Sequence, residues 1–597
     1  MFSSYRKLSG LLTRQEWVRA AAVIGFMFIV GVFEVVSIAS IMPFVAVLSR
    51  PEIIETNPWL AGLYESFGFT STRAFIIFLG LVFLLTISVS ILVRMMGHYA
   101  MSRFAHNRNY RWGVRLLERY VAQPYEWFLD RHSSKFATAI LTEIHRVVVH
   151  ALRPAMEIIA YSMILILLIF FLLWVDPVLT VGAVILIGGG YAAVGWLAKK
   201  PATRLGAERL ELNRVRYRLV QEMFGGAKEL KVMGLGEPYV RRFAKPAAAH
   251  ARCEILISLW HAIPAHAMQG LFVSGMLLAL MYLVATRGDF SAVMPVASVF
   301  ALAAYRMMPS FQKLYKAFVD LASAAAPLDA LVDDMRTLKG PEDTGRRLVR
   351  RMELKRGFSL DGVTYSYPNT EHSALKELTI DVSSLTTIGL VGPTGSGKTT
   401  VVDIMLGLLR PQEGRMLVDG AELTDELVPA WQRSIGYVPQ HIFLTDESIA
   451  ANIALGVGEA RVDRDAVERA ARAASLHEFI VTLPDGYDTV IGERGVRLSG
   501  GQRQRIGIAR ALYRDPEVLI LDEATSALDS LTERDVMEAI RNMGHQKTIV
   551  LIAHRLSTVE HCDKIYVLEQ GEVVGVGSYE ELLSGNAQFQ ALAAVSN

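Results

Sequence analysis

The chain contains a glycine-rich loop whose spacing is typical of phosphate binding. Residues 392–399 read G-P-T-G-S-G-K-T and fit the pattern G-x-x-x-x-G-K-[ST]. A strand-sized apolar stretch, Thr387–Val391, precedes the loop, and a helical pattern at 400–409 follows it. Glycines let backbone N–H groups turn towards phosphate oxygens, and the N-terminus of the following helix favours negative charge. We expect Lys398 to contact nucleotide β- and γ-phosphates and Thr399 to ligate Mg²⁺.

Two adjacent carboxylates follow another apolar strand. Residues 518–521 read V-L-I-L, and Asp522 and Glu523 come directly after them. A buried strand end is a costly place for two acids unless a metal ion and water use them. We predict that Asp522 is the Mg²⁺ partner of the loop and that Glu523 polarises the attacking water.

A second helix start suited to phosphate lies upstream of those carboxylates. Residues 498–502 read L-S-G-G-Q and precede a helical pattern at 503–513, so exposed amides would face a γ-phosphate there. The chain then has two phosphate-binding ends. The alternative for the first loop is a glycine-rich turn that matches by chance, and the downstream features count against it.

These motifs lie in a predicted α/β domain at 352–597. Its apolar runs are short, of strand length and separated by helical patterns. A charged linker at 321–351 precedes the domain. The predicted strands are Thr387–Val391, 434–438, 518–521, Thr548–Ile552 and 564–568.

The first half of the chain is dominated by apolar stretches that are too long for a soluble core helix. Each approaches the ~20 residues that cross ~30 Å of hydrocarbon. We therefore predict an all-α domain of six transmembrane helices at 1–320, followed by the α/β P-loop NTPase domain. The stretches are 20–49, interrupted only by Glu34, then 74–93, 158–175, 177–198, 255–286 and the shorter 290–305.

The connectors between these stretches differ in charge. The long connectors 94–157 and 199–254 contain 10 and 13 Lys or Arg residues, together 23, against 3 in the other connectors. The positive-inside bias places the long connectors in the cytoplasm, and six spans then place both termini there. Their helical rhythm predicts helices that project tens of ångströms beyond the membrane. Residues 125–141 and 221–237 are candidate contact tips, and ordinary turns between helices are the alternative.

The composition limits the class of protein further. Hydrophobic residues are 52% and charged residues 20% of the 597 positions, and the mean hydropathy is +0.31, which favours a membrane protein. Because 61 basic and 59 acidic residues nearly cancel, there is no case for a nucleic-acid partner. Cys253 and Cys562 lie far apart and predict neither a disulfide framework nor a metal site.

Taken together, the motifs of 352–597 resemble the nucleotide-binding domain of the ABC transporter superfamily. Tyr367 matches the A-loop, which stacks on adenine, and Gln440 matches the Q-loop, which senses the γ-phosphate and Mg²⁺ and couples to the membrane domain. Asp529 matches the D-loop, and His554 matches the H-loop, which contacts the γ-phosphate. The resemblance implies an ATPase coupled to transport, with ATP and Mg²⁺ as cofactors.

The same resemblance assigns roles to particular residues. The implied catalytic residues are Glu523, His554 and Gln440, and the implied Mg²⁺ ligands are Thr399, Gln440 and Asp522. The implied ATP-binding residues are Tyr367, Gly392, Pro393, Thr394, Gly395, Ser396, Gly397, Lys398, Thr399, Thr400, Ser499, Gly501, Gln502 and Asp529.

The resemblance also implies a dimer. In the family, two such domains close head to tail, so Ser499, Gly501 and Gln502 of one chain face the phosphates held by Lys398 of the other. This chain has one set of motifs and is therefore expected to be a homodimeric half-transporter. Residues 492–495, G-E-R-G, match the X-loop of exporter-type members. ATP would favour the closed interface, and its hydrolysis the open one.

Ionisable residues in the predicted spans are candidates for binding substrate. Glu34 lies halfway through the first span, where a charge is costly, so we predict that it faces the transport cavity; a carboxyl paired within the helices is the alternative. Arg306 and His266 would suit an anionic headgroup, although interhelical hydrogen bonding accounts for histidines equally well. For Arg94, at the end of a 20-residue apolar run, we expect snorkelling to the interface.

The membrane half is similar to the PglK type of lipid-linked oligosaccharide flippase. The likeness rests on Glu34 followed by 42–44, M-P-F, on 304–310, A-Y-R-M-M-P-S, and on Pro264. It implies flipping or export of a lipid-linked oligosaccharide or similar amphipathic lipid across the inner (cytoplasmic) membrane, with membrane lipids and that glycan as partners. The alternatives are a general lipid, drug or peptide exporter, and an ABC ATPase that signals or does mechanical work without transport.

Overall fold

The chain folds into two compact units. In the computed structural model, the first unit comprises Met1–Gln123 and Asp130–Asp343, and the second comprises Pro124–Leu129 and Thr344–Asn597. The structure describes residues 2–129, 131, 133–287, 290–340, 350–368, 370, 372–492, 495–523, 534, 537, 538, 540, 541, 543, 546–553 and 555–596.

The first unit is helical, and local capping fixes several of its helix starts. Thr13 and Glu16 form a capping box, and the Asp176 carboxylate accepts a hydrogen bond from the Leu179 amide at 3.2 Å, just after the break between two apolar runs. The α-helices are α1 (Phe2–Leu11), α2 (Arg14–Ala39), α3 (Ile41–Ser49), α4 (Ile53–Thr56), α5 (Pro58–Ser66), α6 (Thr72–Val121), α8 (Ser133–Thr138), α9 (Ile144–Val147), α10 (Arg153–Val175), α11 (Pro177–Ala183), α12 (Gly189–Gly225), α13 (Ala227–Val232), α14 (Gly236–Arg287), α15 (Phe290–Ser323) and α16 (Ala325–Thr337), with α7 (Tyr125–Leu129) in the second unit.

Short π-helical segments interrupt this series of helices. They are Ala139–Glu143, Val148–Leu152 and Val184–Gly188. A π-helical turn carries one extra residue per hydrogen-bonded ring, so it rotates the side chains that follow it. The third segment joins α11 to α12 and changes which face of that long helix meets its neighbours.

Several helical stretches have the length and composition of membrane spans. Within the described residues, Arg14–Ser49, Thr72–Val121 and Lys135–Val175 are long and apolar enough to cross a bilayer. Two shorter apolar stretches, Pro177–Gly188 and Phe272–Ala285, lie in later helices. The total of six spans stays a prediction.

Two sheets form the framework of the second unit. One has six strands in the order β10-β9-β3-β8-β7-β6, with β9, β3, β8, β7 and β6 parallel, and the other has four antiparallel strands in the order β2-β1-β4-β5. The strands are β1 (Gly357–Tyr365), β2 (Leu375–Ser383), β3 (Thr387–Val391), β4 (Glu413–Val418), β5 (Ala421–Glu422), β6 (Ile435–Val438), β7 (Val518–Asp522), β8 (Thr548–Ile552), β9 (Lys564–Glu569) and β10 (Glu572–Gly577).

Helices cover the six-stranded sheet. Its central strands are mostly apolar, and all five residues of β7 and of β8 are buried, as expected for parallel strands packed on both faces. The helices of the second unit beyond α7 are α17 (Lys398–Met405), α18 (Val428–Gln432), α19 (Ile449–Ile453), α20 (Arg464–Ala473), α21 (His477–Val481), α22 (Gly500–Leu512), α23 (Tyr579–Gly585) and α24 (Ala587–Ser596).

The strand register brings two of the predicted motifs to one edge of the sheet. Ile552 at the end of β8 pairs with Leu390 of β3 on one side and with Asp522 of β7 on the other. Because neighbouring strands lie ~4.8 Å apart, Leu390 and Asp522 are separated by roughly 10 Å. The glycine-rich loop and the carboxylate pair therefore share the carboxyl edge of the sheet, where α/β folds bind ligands.

Candidate nucleotide-binding site

Close backbone packing requires glycine at two positions of the loop between β3 and α17. Gly392 has φ +156°, and a Cβ there would lie 2.2 Å from the Leu568 carbonyl oxygen. Gly397 has φ +100°, and its Cβ would lie 2.9 Å from the Ala374 carbonyl oxygen. Side chains at these positions would displace backbone, so the loop conformation depends on both glycines.

Lys398 begins α17 and turns its amine back into the loop. Its Nζ donates hydrogen bonds to the carbonyl oxygens of Gly392 at 2.7 Å and Pro393 at 3.0 Å. Burial lowers the pKa of Lys398, while the carboxylates of Glu523 and Asp522 act in the opposite direction. The amine therefore lies within the loop, where a phosphate oxygen can accept a hydrogen bond from it.

Tyr367 lies close to the start of α17. Its hydroxyl is 3.1 Å from the Thr400 hydroxyl, and its ring packs edge-to-face on Tyr365, with ring centroids 5.2 Å apart. Tyr367 is half-buried, whereas Tyr365 is buried. The predicted adenine-stacking ring is thus anchored next to the loop at one edge and keeps part of its surface for a ligand.

The carboxylate pair occupies the end of β7. Asp522 is buried, and Glu523 has φ +49°, a left-handed conformation that is unusual for a residue with a side chain. The Gln440 amide donates a 2.7 Å hydrogen bond to the Glu523 carboxylate. The structure therefore joins the residue predicted to sense the γ-phosphate to the residue predicted to be the catalytic base.

Oxygen ligands suitable for Mg²⁺ meet at this edge. The Asp522 carboxylate lies at the end of β7, and the Thr399 hydroxyl is carried by the first turn of α17. Carboxylate and hydroxyl oxygens are the ligands Mg²⁺ prefers, and it is commonly held by one or two protein groups together with substrate phosphates. The residues present fit a Mg²⁺–nucleotide complex.

The sequence analysis did not single out Asp403 near this site. Asp403 lies on α17, and burial, reinforced by the charge of Asp522, raises its pKa to about 6. The available signal was one acid in the apolar pattern of 401–405, V-V-D-I-M. An isolated acid in a buried helix next to a phosphate loop is a feature of functional sites.

The second predicted phosphate-binding end is a well-capped helix start. The Ser499 hydroxyl accepts a hydrogen bond from the Gln502 amide at 3.2 Å, and the Gln502 side chain accepts one from the Ser499 amide at 2.8 Å. This capping box fixes the start of α22, whose next residues are Gly500 and Gly501. Asp529, His554 and the central pair of the 492–495 motif, Glu493 and Arg494, lie outside the described residues.

A short helix from the first long connector belongs to the second unit. Glu126 of α7 accepts a 2.8 Å hydrogen bond from the hydroxyl of Tyr365. Burial, followed by the contact with Glu126, raises the pKa of Tyr365, so this hydroxyl stays protonated and donates. The predicted contact tip at 125–141 therefore begins with a segment that is hydrogen-bonded to Tyr365, and the Tyr365 ring in turn packs on Tyr367.

In the first unit, two of the substrate candidates pair with each other. Arg306 on α15 donates a 3.2 Å hydrogen bond to the Glu34 carboxylate on α2, and Arg94 on α6 forms an ion pair with the same carboxylate. Glu34 and Arg306 are buried. Arg94 therefore has a buried ion-pair partner, and its snorkelling to the interface stays a prediction. His266 lies on α14 and is exposed.

Comparison with known proteins places both units in one family. Residues 53–310 match the model described as the ABC transporter transmembrane region, and residues 375–526 match the model described as ABC transporter. An ATP-dependent lipid A-core flippase of Chromohalobacter salexigens is 33% identical over 510 residues, which cover 83% of this chain and 85% of that protein. The heterocyst differentiation ATP-binding protein HepA of Nostoc sp. is 29% identical over 97% of this chain and 95% of that protein.

A solved structure shares the fold over nearly the whole chain. It is a bacterial Atm1-family ABC exporter with ATP bound, with a TM-score of 0.78 and 23% identity, and the match covers 98% of this chain and 99% of that one.

The chain belongs to the ABC transporter family, and the loop at 392–399 and the carboxylates Asp522 and Glu523 lie within the region that matches its ABC transporter model. Within that family it is a half-transporter of exporter type, because a helical transmembrane region precedes one ATP-binding region. Its enzymatic activity is ATP hydrolysis coupled to transport.

Proposed function

We propose that this chain works as a homodimer that uses Mg²⁺ and ATP to move an amphipathic lipid with an anionic headgroup across the inner membrane. The observation that carries the proposal is the pair of buried residues Glu34 and Arg306, joined by the partly exposed Arg94, together with relatives named lipid A-core flippases. Two arginines around one carboxylate leave a net positive charge among apolar helices. Such a charge needs a functional reason.

The nucleotide site supports a division of labour among its residues. Lys398 and the loop amides bind phosphates, Asp522 and Thr399 supply oxygen ligands for Mg²⁺, and Glu523 accepts the proton of the attacking water. The hydrogen bond from Gln440 orients the Glu523 carboxylate, so Gln440 acts partly through the base. We assign His554 to the γ-phosphate and Asp529 of the D-loop to the ATP-binding residues on the basis of the family resemblance.

The dimer is part of the proposal because each chain offers one phosphate loop and one capped helix start. Ser499, Gly501 and Gln502 of a second copy would complete the site around Lys398. The capping box supports this role, because it orders the amides of α22 before any phosphate binds. Both termini and the ATP-binding unit lie on the cytoplasmic side in this proposal, as the Lys and Arg content of the long connectors favours.

The specific substrate that we propose is a lipid-linked oligosaccharide, whose phosphate would contact the arginines. A general lipid exporter of the same architecture is the second candidate, because the named relatives act on a different lipid. The two candidates differ in the lipid that is transported, although both use ATP hydrolysis.

Purified protein in sealed liposomes tests the proposal. A fluorescent polyprenyl-pyrophosphate glycan, a fluorescent anionic phospholipid and a fluorescent neutral phospholipid are incorporated separately, and headgroup accessibility is followed with and without ATP. Movement of the glycan lipid supports the specific proposal, and movement of the anionic phospholipid alone supports the second candidate. Hydrolysis without movement of any of the three lipids contradicts both.

A further inference from the structure

An apolar groove lies between three helical segments of the first unit. One wall is Pro177–Gly188, and the others come from α14 and α15. The groove has a volume of about 490 Å³, within the ~300–1,000 Å³ of ordinary small-ligand sites. It is separate from the buried Glu34–Arg306 pair, and neither of those residues lines it.

The lining excludes polar ligands. The described lining residues carry no charge, and the Tyr282 hydroxyl is their one polar side-chain group. A sugar, phosphate or nucleotide in this groove would lose its hydrogen bonds to water without replacement. The occupant must therefore be a hydrocarbon.

The groove exists because small residues stand where larger ones would fill it. Gly182, Gly275, Ala279 and Ala301 all line it. A Cβ on Gly182 would meet no atom within 4 Å, whereas one on Gly275 would lie 3.3 Å from the Leu186 side chain. A side chain at position 182 would thus extend into open space, whereas one at position 275 would contact the Leu186 side chain.

Residues that line the groove also belong to two buried clusters, so its walls are packed against their neighbours. Leu179, Leu283, Val293 and Val296 form one buried cluster. Phe272 belongs to a second buried cluster, against which Ile187 and Ala304 pack.

The length of the groove matches one leaflet of a bilayer. Along α14 it runs from Phe272 to Leu283, on the order of 16 Å at ~1.5 Å per residue. Half of a ~30 Å hydrocarbon core is ~15 Å. Leu283 lies just before the predicted connector at 287–289, and Val178 lies just after Asp176, so the groove starts at the membrane surface that carries the short connectors.

The volume of the groove suits an acyl chain and is too small for a protein helix. A helix about 10 Å across and equally long would occupy roughly 1,000 Å³ or more. The groove has about half that volume. Ile185 and Val178 on one wall and Leu278 on another are exposed, so a chain can enter from the surrounding lipid.

We propose that this groove binds one acyl chain of a membrane phospholipid in the leaflet next to the short connectors. The proposal depends on the membrane topology of the helices and not on which substrate is transported. Its failure is therefore distinguishable from failure of the transport proposal.

Photolabelling tests the proposal. The full-length protein is reconstituted in nanodiscs that contain a phosphatidylglycerol with a diazirine near the middle of one acyl chain, and labelled peptides are mapped by mass spectrometry. Labelling is expected in 177–188, 272–283 and 297–304. Gly182→Leu places a branched side chain into open space in the groove and should lower that labelling about tenfold by steric exclusion.

The matched control is Gly189→Leu, which lies on α12 where a Cβ also meets nothing within 4 Å but does not line the groove. The Gly189→Leu variant should be photolabelled to the same extent as the wild type. Ala301→Leu blocks the groove from the opposite wall and gives an independent result if Gly182→Leu does not fold. Equal labelling in the wild type and a folded groove variant would overturn the proposal, as would cross-linking of the groove to a helix of a second copy.

Discussion

The ATP-binding unit and the membrane unit use their functional residues differently. In the first, the proposed phosphate-binding groups are consecutive in sequence, as in 392–399, and many of them are backbone amides. In the second, the notable charges are Glu34, Arg94 and Arg306, which come from three separate helices and up to 272 residues apart. Local geometry thus specifies one site, and tertiary packing the other.

The largest effect in the ATP-binding unit should come from removing the base. Glu523→Gln keeps the side-chain volume and a hydrogen-bonding partner for Gln440 but cannot accept a proton. Hydrolysis should fall by about 10³-fold, while ATP binding persists and closed dimers accumulate. Steady-state phosphate release and nucleotide retention measure this. Glu580→Gln, at an exposed position, is the control, and normal turnover of Glu523→Gln would refute the assignment.

The next effect tests whether the loop depends on backbone packing. Gly392→Ala forces a Cβ against the Leu568 carbonyl and should cost at least about 3 kcal/mol of stability of the ATP-binding unit. Gly395→Ala has the same change at φ +82° but open space around it, so about 1 kcal/mol is expected. Nucleotide-dependent thermal unfolding compares the two. Equal losses of stability in the two variants would show that steric contact at Gly392 does not determine the loop conformation.

In the membrane unit, the corresponding test breaks the charge group. Glu34→Gln leaves Arg306 buried without a counter-charge and should destabilise the unit by about 3 kcal/mol. Arg94→Gln leaves the Glu34–Arg306 pair intact, and Arg94 is itself partly exposed, so less than about 1 kcal/mol is expected. Thermal unfolding in nanodiscs gives both values. A larger loss for Arg94→Gln than for Glu34→Gln contradicts the arrangement.

The smallest effect concerns α7, the segment contributed by the first long connector. Tyr365→Phe removes the hydrogen bond to Glu126 but keeps the ring packed on Tyr367. The attachment of α7 should weaken by about 1 kcal/mol, with little change in ATP affinity. Amide hydrogen exchange at 124–129 measures it. In a double-mutant cycle with Glu126→Ala, purely additive effects would exclude a direct bond.

Some features of the fold and of the site could be predicted from the sequence, and others could not. The α/β fold, the loop at 392–399 and the position of Asp522 and Glu523 at a strand end could be predicted because a short contiguous pattern fixes each of them. The pairing of Glu34 with Arg306 was not, because each residue alone is compatible with several partners. Asp403 and the Glu126–Tyr365 bond were missed for the same reason, since burial and neighbours appear only after folding.

The capping box of α22 gives a further example. The L-S-G-G-Q pattern predicted a phosphate-binding helix start, and its Ser499 and Gln502 side chains turned out to cap that helix reciprocally. Capping and phosphate binding use the same exposed amides of the first turn, so a single pattern carries both signals.

The central claim, that each ATP site is shared between two copies, is tested most directly with a mixed dimer. Lys398→Ala and Ser499→Glu chains carry different affinity tags, and dimers with both tags are purified. If sites are shared, one site of the mixed dimer joins an intact Lys398 to an intact Ser499, so measurable ATP trapping returns although both homodimers are inactive. Mixed dimers as inactive as the homodimers would show that each site is built within a single chain.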